Sequence, residues 1–410
     1  MFRIFGPPGT GKTTKLLNLV DKHLEAGVEP TNIAFLAFTR KAAEEARERA
    51  AARFNLDPKQ DLFFFKTLHS LALAMTDIRT DQVMQPEHYR ELGKSIGVNL
   101  GAAADNRFSD IPETQKSSDP ILGLINLAIL RKVPLRTQYN ISQIDESWNV
   151  VKYVDEALTK YKKSYTLYDF TDMLRVFAET GQSCCPRFAV TFLDEAQDLS
   201  PLQWDIAHML DRQSERMYCA GDDDQAIYRW AGADVDQFIG LEGGSETLSQ
   251  SYRVPQLPWE IAQNVARRIH RRFPKTYKPR DERGMVRRIS MVNELDMSEG
   301  SWLILAQAAY LLQDVSSDLK AMGLLFNFRG HRSVSERMSE AINGWEQLRK
   351  DKEISGRAVK SIYSYMSSKD RIKRGFKKLG GLEEDEMFSF DVLVKDYGLL
   401  ATKDMIWHVA

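Results

Sequence analysis

Gly6-Pro-Pro-Gly-Thr-Gly-Lys-Thr13 is the stretch that decides the fold of this chain. A short apolar strand over residues 1–5 leads into it, and a helical pattern from about residue 13 to residue 26 follows it. The glycines let backbone N–H groups turn toward a phosphate, and the start of a helix adds its partial positive charge. The stretch therefore predicts a phosphate-binding loop between a strand and a helix.

Two side chains of the loop carry most of its expected chemistry. Lys12 can reach the β and γ phosphates of a nucleotide, and the Thr13 hydroxyl can bind Mg²⁺. The loop by itself does not separate ATP from GTP. The predicted nucleotide-binding residues are Gly6, Pro7, Pro8, Gly9, Thr10, Gly11, Lys12, Thr13 and Thr14.

Strand and helix patterns alternate on either side of this loop. We predict strands at residues 33–38, 62–65, 188–193 and 217–220, and a helix at 40–54. Such alternation favours an α/β fold with a parallel sheet covered by helices on both faces. The continuous apolar run Phe63, Phe64 and Phe65 is assigned to the core.

The strand signal is absent from the middle of the chain and returns later. Residues 77–164 read as a mostly helical insertion, and strands at 285–289 and 302–306 predict a second α/β domain. We therefore divide the chain into a first domain of residues 1–76 and 165–244, the insertion 77–164, a second domain 245–332, and a helical, charged region 333–410.

Composition excludes several classes of protein. The 56 basic and 57 acidic residues give a net charge of −1, so any contact with a polyanion must come from local clusters. The three cysteines fit neither a disulfide framework nor a zinc site, and no apolar run is long enough to cross a bilayer. We expect a cytoplasmic protein in a reducing compartment, with no membrane contact.

Two carboxylates close the predicted strand at 188–193. Asp194 can complete the ligand shell of Mg²⁺, and Glu195 can orient or deprotonate a water molecule. The alternative is that acids here only cap the next helix, which suits Asp198 but does not explain two acids at the end of an apolar strand. The pattern therefore indicates a hydrolase site.

Seven motifs follow one another along the first 253 residues. They are the phosphate loop, Ala37-Phe-Thr-Arg-Lys-Ala-Ala43, Thr67-Leu-His-Ser70, Leu167-Tyr-Asp-Phe-Thr-Asp-Met-Leu174, Asp194-Glu-Ala-Gln-Asp198, Gly221-Asp-Asp-Asp-Gln-Ala-Ile-Tyr-Arg-Trp-Ala-Gly-Ala233 and Leu248-Ser-Gln-Ser-Tyr-Arg253. With these motifs in this order, the chain closely resembles the superfamily 1 DNA helicases of the UvrD, Rep and PcrA family. The resemblance is firm from residue 1 to about residue 255 and weakens to about residue 330.

The resemblance implies a fold and a catalytic set. The expected fold is a P-loop NTPase, RecA-like parallel-sheet domain with a helical insertion, followed by a second, incomplete RecA-like domain that also carries a helical insertion. By similarity Gln225 senses the γ-phosphate, Tyr252 stacks on the adenine, and Arg253 is an arginine finger. With Lys12 and Glu195 these residues form the expected catalytic and ATP-binding set, with ATP and Mg²⁺ as cofactors and with Thr13 and Asp194 as metal ligands.

The same resemblance implies a surface for single-stranded DNA. A motor must hold any sequence equally, so we expect base stacking on aromatic side chains, first Trp230 and Tyr228 and then Phe38. Backbone or base contacts are expected from Thr39, Thr67 and His69, although a single histidine is often a structural residue. The basic clusters at residues 267–272 and 369–378 are assigned to solvated surface.

The chain also departs from the family pattern. An upstream adenine-reading glutamine and the late helicase motifs are not found, so we expect a truncated or shortened form. The leading hypothesis is a 3′–5′ helicase of DNA replication, repair or recombination that acts on single strands and duplex junctions, with replication or repair proteins as possible partners. The alternatives are an ATP-gated DNA-binding or regulatory module and the motor subunit of a nuclease assembly, for which the sequence shows no nuclease motif.

Overall fold

A computed structural model describes residues 1–100, 119–297, 299–328, 330–368, 370–377, 379 and 382–405. These residues form two compact units, Met1–Val286 and Arg287–Ala410. In the described part of the chain, no helix is both long enough and apolar enough to cross a membrane. Part of the expected helical insertion, and Lys369 and Lys378 of the basic run, lie outside the described residues.

The first unit alternates strands and helices as expected of an α/β protein. Its elements in chain order are β1 (Phe2–Phe5), α1 (Lys12–Glu25), β2 (Ile33–Ala37), α2 (Arg40–Phe54), β3 (Phe65–Thr67), α3 (Leu68–Met75), α4 (Pro86–Ile96), α5 (Pro120–Leu130), α6 (Leu135–Ile141), α7 (Trp148–Tyr165), α8 (Phe170–Cys184), β4 (Phe188–Leu193), α9 (Pro201–Arg212), β5 (Ser214–Gly221), α10 (Val235–Gly240), β6 (Ser245–Thr247) and α11 (Gln256–Ala266).

A six-stranded parallel sheet organises this unit, in the order β3-β2-β4-β5-β1-β6. Side chains alternate across it: Ile4 joins the core beneath α1 and α2, while Phe5 joins the core beneath α8 and α9. Because β4, β5 and β1 are neighbours, the segments that follow these three strands meet at one edge of the sheet. This arrangement confirms the predicted α/β fold class.

The helical insertion predicted from the lost strand signal is present as α4 to α7. These helices share a core of their own, which includes Leu92, Leu124, Val154 and Leu158. The segment 245–247, where we placed the start of a second domain, instead adds β6 to the first sheet beside β1. The four-part division of the chain stays a prediction.

One strand prediction needs correction at the edge of the sheet. The strand β3 begins at Phe65, whereas residues 62–64 form a turn. Phe65 is buried and Phe64 packs edge-on against Phe188, but Phe63 is 42% exposed and its ring lies 3.5 Å from the Lys66 ammonium. The core assignment of Phe63 is therefore wrong, because an edge strand leaves one side of the run open to solvent.

The second unit contains short strands and helices. Its elements are α12 (Leu312–Ala321), β7 (Asn327–Phe328), β8 (His331–Arg332), α13 (Glu336–Arg349), β9 (Ile354–Ser355), α14 (Gly356–Tyr365), β10 (Met387–Phe388) and α15 (Phe390–Asp396). Its main core surrounds Trp345, Ile362 and Tyr363 on α13 and α14.

The predicted strands at 285–289 and 302–306 are wrong for the described residues. Neither segment pairs with a neighbour, and Leu303 and Leu305 are each 81% exposed. An apolar run favours a strand only when another strand satisfies its backbone hydrogen bonds. Among the described residues, the second unit holds two-stranded antiparallel pairs, β7 with β8 and β9 with β10, in place of the parallel sheet that we expected.

Candidate active site

The loop after β1 has the backbone that a phosphate site requires. Gly9 and Gly11 adopt left-handed conformations, with φ of 73° and 80°. A Cβ on Gly9 would lie 2.3 Å from Cβ of Arg253, so both the backbone and the space demand glycine there. Gly11 precedes α1 without a side-chain cap, which leaves the first N–H groups of the helix available to an anion.

Lys12 lies over this loop. Its ammonium donates a hydrogen bond to the Gly6 carbonyl at 3.1 Å and is 3.6 Å from a carboxylate oxygen of Glu195. A Cβ on Gly6 would be only 1.9 Å from Cγ of Lys12, so the side chain needs the glycine beneath it. The sequence-predicted lysine and carboxylate therefore share one end of the site.

Thr13 and Asp194 come together across the sheet edge. The Thr13 hydroxyl donates to Oδ2 of Asp194 at 2.9 Å, and Oδ1 of Asp194 accepts from the Glu195 backbone N–H. Burial, helped by the nearby Glu195 charge, raises the pKa of Asp194 to about 6, although the Thr13 hydrogen bond opposes the shift. A hydroxyl beside a buried carboxylate is an oxygen donor pair of the kind that Mg²⁺ prefers.

Glu195 is held in an unusual backbone conformation. Its φ of 54° is left-handed, which is uncommon for a residue other than glycine. The Gln197 amide donates to Oε2 of Glu195 at 2.9 Å and to Oδ2 of Asp198 at 3.0 Å, and its carbonyl oxygen accepts from the Asp222 backbone N–H at 2.9 Å. Gln197 therefore connects the end of β4 to the end of β5. Sequence reasoning gave it no role.

Gln225 lies in the short turn that follows β5. Its amide donates to Oδ2 of Asp222 at 2.6 Å, and Asp222 is fully buried. Asp222 also accepts a hydrogen bond from the backbone N–H of Asp224. The expected γ-phosphate sensor is thus connected, through Asp222 and Gln197, to the carboxylate of Glu195.

The segment with Tyr252 and Arg253 packs directly on the phosphate loop. The Ser251 hydroxyl donates to the Pro8 carbonyl at 2.6 Å, and the Tyr252 backbone N–H donates to the Gly9 carbonyl at 2.9 Å. The Tyr252 ring is 74% exposed and free of core packing. Of the remaining loop residues, Thr10 donates to the Pro7 carbonyl and Thr14 is exposed in the first turn of α1.

The expected DNA-contacting residues fall into two groups. Phe38, Tyr228 and Trp230 form a row, with ring centroids 5.6 Å and 6.4 Å apart, and Trp230 is 62% exposed. Thr39 and Thr67 instead cap helices, where their hydroxyls accept from the backbone N–H groups of Ala42 and Ser70. The three aromatic side chains therefore lie together, with Trp230 exposed and Phe38 and Tyr228 partly buried, whereas the two threonines cap helices.

His69 is only partly exposed to solvent. Its Nε2 is shielded from solvent without a hydrogen-bond partner, and its ring meets Phe170 edge-on. Burial, with a contribution from the Arg40 charge, lowers the pKa of His69 to about 4. The histidine is therefore neutral near pH 7, which fits the structural alternative considered for it.

Sequence reasoning missed a cluster of charges behind the site. Lys275 pairs with Asp222, Asp223 and Asp224, and Arg272, which we assigned to a solvated face, makes two hydrogen bonds to Asp224. Three consecutive acids after a buried strand require cations close to them. This run of acids was the sequence signal that could have predicted such a cluster. In the part of the chain described, no group of three or more histidine, cysteine or acidic side chains could hold a metal ion.

Comparison with known proteins shows similarity to DNA helicases. Residues 2–243 match the family model described as the UvrD/REP helicase N-terminal domain. The ATP-dependent DNA helicase PcrA of Leuconostoc citreum is 25% identical over 383 residues, which cover 89% of this chain and 50% of that protein.

Two further relatives are also named as DNA helicases, and each is matched over only part of its length. The putative ATP-dependent DNA helicase YjcD of Bacillus subtilis (strain 168) is 25% identical over 87% of this chain and 47% of its own length. The ATP-dependent DNA helicase Rep of Buchnera aphidicola subsp. Acyrthosiphon pisum (strain APS) is 26% identical over 58% of this chain and 38% of its own length. The chain spans about half the length of the first two of these relatives.

Proposed function

The chain belongs to the UvrD/REP helicase family, and from that premise we propose that it is an ATP-driven motor that moves along single-stranded DNA. The observation that carries the proposal is the packing of the Tyr252–Arg253 segment on the phosphate loop, where the Tyr252 N–H donates to the Gly9 carbonyl. This packing supports the proposal that the exposed side chains of Tyr252 and Arg253 act beside Lys12, Thr13, Asp194 and Glu195.

Each group then has a place in hydrolysis. The glycine turn, the start of α1 and Lys12 would bind the phosphates, and Thr13 and Asp194 would hold Mg²⁺. When bound, the ion neutralises charge on the phosphate oxygens. Glu195 would position the attacking water and accept its proton, and Arg253 would stabilise the charge that develops as the γ-phosphoryl group leaves.

A path of hydrogen bonds supports coupling between hydrolysis and DNA. It runs from Glu195 through Gln197 to Asp222 and then to Gln225. Gln225 lies three residues before Tyr228 and five before Trp230, which are the proposed stacking residues. A change at the γ-phosphate can thus move the surface that contacts the bases. The 3′–5′ polarity and a role in DNA replication, repair or recombination rest on family resemblance.

The remaining expectations follow from this proposal. Single strands and duplex junctions would be its substrates, ATP would be the nucleotide and Mg²⁺ its cofactor, and replication or repair proteins would be its partners. The three cysteines are unpaired, which suits work in the reducing cytoplasm.

One observation favours a second candidate function, an ATP-gated DNA-binding or regulatory module. Residues 302–306 form no strand with any described residue, and Trp302, Leu303 and Leu305 are exposed. A motor needs two domains that open and close around the nucleotide. If the described part of the second unit cannot act as the moving domain, nucleotide would control DNA affinity without sustained translocation.

ATP hydrolysis with and without single-stranded DNA separates the two functions. The motor predicts DNA-stimulated turnover that falls at least about 100-fold in Lys12→Ala and in Glu195→Gln. Glu242→Gln makes the same chemical change at an exposed position outside the site and serves as the matched control. Nucleotide binding that changes DNA affinity without DNA-stimulated turnover would support the regulatory module and contradict the motor.

A further inference from the structure

Three consecutive carboxylates surround one buried lysine behind the candidate sensor. The Lys275 ammonium lies 3.1 Å from Oδ1 of Asp222, 2.5 Å from Oδ1 of Asp223 and 2.9 Å from Oδ2 of Asp224. The side chain of Lys275 is completely buried, as are those of Asp222 and Asp223. An ammonium has three N–H donors, and here each one has its own carboxylate.

This lysine acts on the one carboxylate that contacts the sensor. Asp222 uses Oδ1 toward Lys275 and Oδ2 to accept from the Gln225 amide at 2.6 Å. Burial raises the pKa of Asp222, and the Lys275 charge is the first influence that opposes the shift. Without that cation, a fully buried carboxylate would lose the partner that keeps it ionised and oriented.

The segment that carries Lys275 also reaches the Tyr252–Arg253 side of the site. We call residues 272–280 the strap. The backbone of Lys278 donates to Ser249 and accepts from Ser251, at 2.8 Å in each case, and the Arg280 N–H donates to Val254 at 2.9 Å. Two of these backbone contacts flank Tyr252 and Arg253 directly, at Ser251 and Val254.

The strap is fixed to the sheet at its other end. The Phe273 ring stacks on Phe5, the last residue of β1, with centroids 3.8 Å apart and planes 5° from parallel. The Phe273 N–H donates to Asp223, and Arg272 makes paired hydrogen bonds to Asp224. The strap is therefore held against the sheet. It contacts both the turn that leads to Gln225 and the segment that carries Tyr252 and Arg253.

We propose that Lys275 is a positioning residue for Gln225: its ammonium fixes Asp222 so that the Gln225 amide faces the nucleotide site, and the strap ties that placement to the Tyr252–Arg253 segment. The inference rests on the proposed function, because it assigns Gln225 to sensing the γ-phosphate. Lys275 itself touches neither nucleotide nor DNA in this scheme, so its effect should appear in turnover and not in nucleotide binding.

The test compares Lys275→Met with Arg272→Met in the full chain. Both variants remove one cation from the same acidic cluster, but only Lys275 contacts Asp222, which holds Gln225. We expect Lys275→Met to lower kcat of DNA-stimulated ATP hydrolysis at least about tenfold, with KM for ATP changed less than about threefold. Arg272→Met should keep kcat within about threefold of the wild type, although its melting temperature should also fall.

A second readout does not depend on turnover. With ¹⁵N-labelled glutamine, the side-chain amide of Gln225, assigned from its loss in Gln225→Glu, should shift in Lys275→Met and shift clearly less in Arg272→Met. If Lys275→Met does not fold, Lys275→Arg keeps the charge but replaces the three-way ammonium by a planar fork, and should shift the same resonance. A Gln225 resonance that does not move on substitution of Lys275, or equal losses of kcat in the two methionine variants, would overturn the proposal. Absence of hydrolysis in the wild type would refute the motor alone and leave the resonance test of Lys275 in force.

Discussion

The Thr13 hydroxyl and the Asp194 carboxylate, 181 residues apart in the chain, are joined by a hydrogen bond of 2.9 Å. The sheet order makes this contact possible, because the strands β1 and β4, which precede the two residues, both flank β5. An alcohol from the first motif and a carboxylate from the fifth thus form one oxygen donor pair at the start of α1.

Removing one member of this pair should abolish metal-dependent turnover. We expect Asp194→Asn to lower ATP hydrolysis at least about 100-fold, because the neutral amide lacks the negative charge that would help to bind Mg²⁺. Thr13→Ser keeps the hydroxyl and should stay near wild type, whereas Thr13→Val should lose most activity. Steady-state hydrolysis across a Mg²⁺ titration measures both effects. Full activity of Asp194→Asn at saturating Mg²⁺ would be inconsistent with the assignment.

Arg253 should affect the chemical step more than nucleotide binding. Its Cβ lies where a side chain on Gly9 would be, so Arg253 starts from the edge of the phosphate loop, and its side chain is exposed. Arg253→Ala should lower kcat by about 100-fold or more, with a much smaller change in nucleotide affinity. Arg253→Lys should not restore the rate, because an ammonium lacks the planar fork. A kcat of Arg253→Lys close to that of the wild type would argue against the role of Arg253 as an arginine finger.

The aromatic row predicts a loss of DNA affinity when Trp230 is truncated. Stacking of one base on an aromatic ring contributes about 1–3 kcal/mol, so Trp230→Ala should weaken binding of single-stranded DNA by about tenfold or more. Fluorescence anisotropy with a labelled oligonucleotide measures the change. Tyr153→Ala, which removes an exposed aromatic from α7, is the control and should bind normally. If Trp230→Ala and Tyr153→Ala bound single-stranded DNA with equal affinity, Trp230 would not be part of the DNA-binding surface.

His69 should make stability depend on pH. Its pKa is about 4 in the folded protein against an ordinary value of 6.5, so the unfolded chain binds more protons between these values. Stability from the neutral ring is therefore present above pH 6.5 and is lost as the pH falls toward 4. His69→Phe cannot titrate, so the wild type should lose about 2 kcal/mol relative to this variant between pH 7 and pH 5. Urea unfolding at both pH values tests it, and parallel curves for the two proteins would contradict it.

The parts of the site that the sequence could predict are those in which geometry is local or follows from the sheet. The glycine loop needs only its neighbours, and Asp194 follows a buried strand whose carboxyl end must face the same edge as the loop. Lys275 lies 52 residues from Asp223, and no periodicity or spacing connects them. Burial of the acids implies a cation, but only the folded chain shows which one.

The errors in the fold have a similar physical origin. Apolar runs predicted strands at residues 62–65 and 302–306, but composition does not show which residues find a hydrogen-bonding neighbour. At the sheet edge the strand began three residues later, at Phe65, and left Phe63 exposed. At 302–306 no pairing strand is present among the described residues, so the run forms no strand there.

The left-handed backbone at Glu195 places the stability of the folded chain in conflict with its proposed activity. A side chain in this conformation costs about 1 kcal/mol that a glycine would avoid, and asparagine or aspartate would bear it more easily than glutamate. Mutation to glycine or asparagine would therefore tend to stabilise the folded chain while removing the carboxylate that lies near Lys12, and mutation to aspartate would shorten the side chain that carries it. If Glu195 acts in hydrolysis as proposed, selection for that activity would favour glutamate at this position. A lineage released from that selection should then lose this carboxylate early while keeping a well-folded domain.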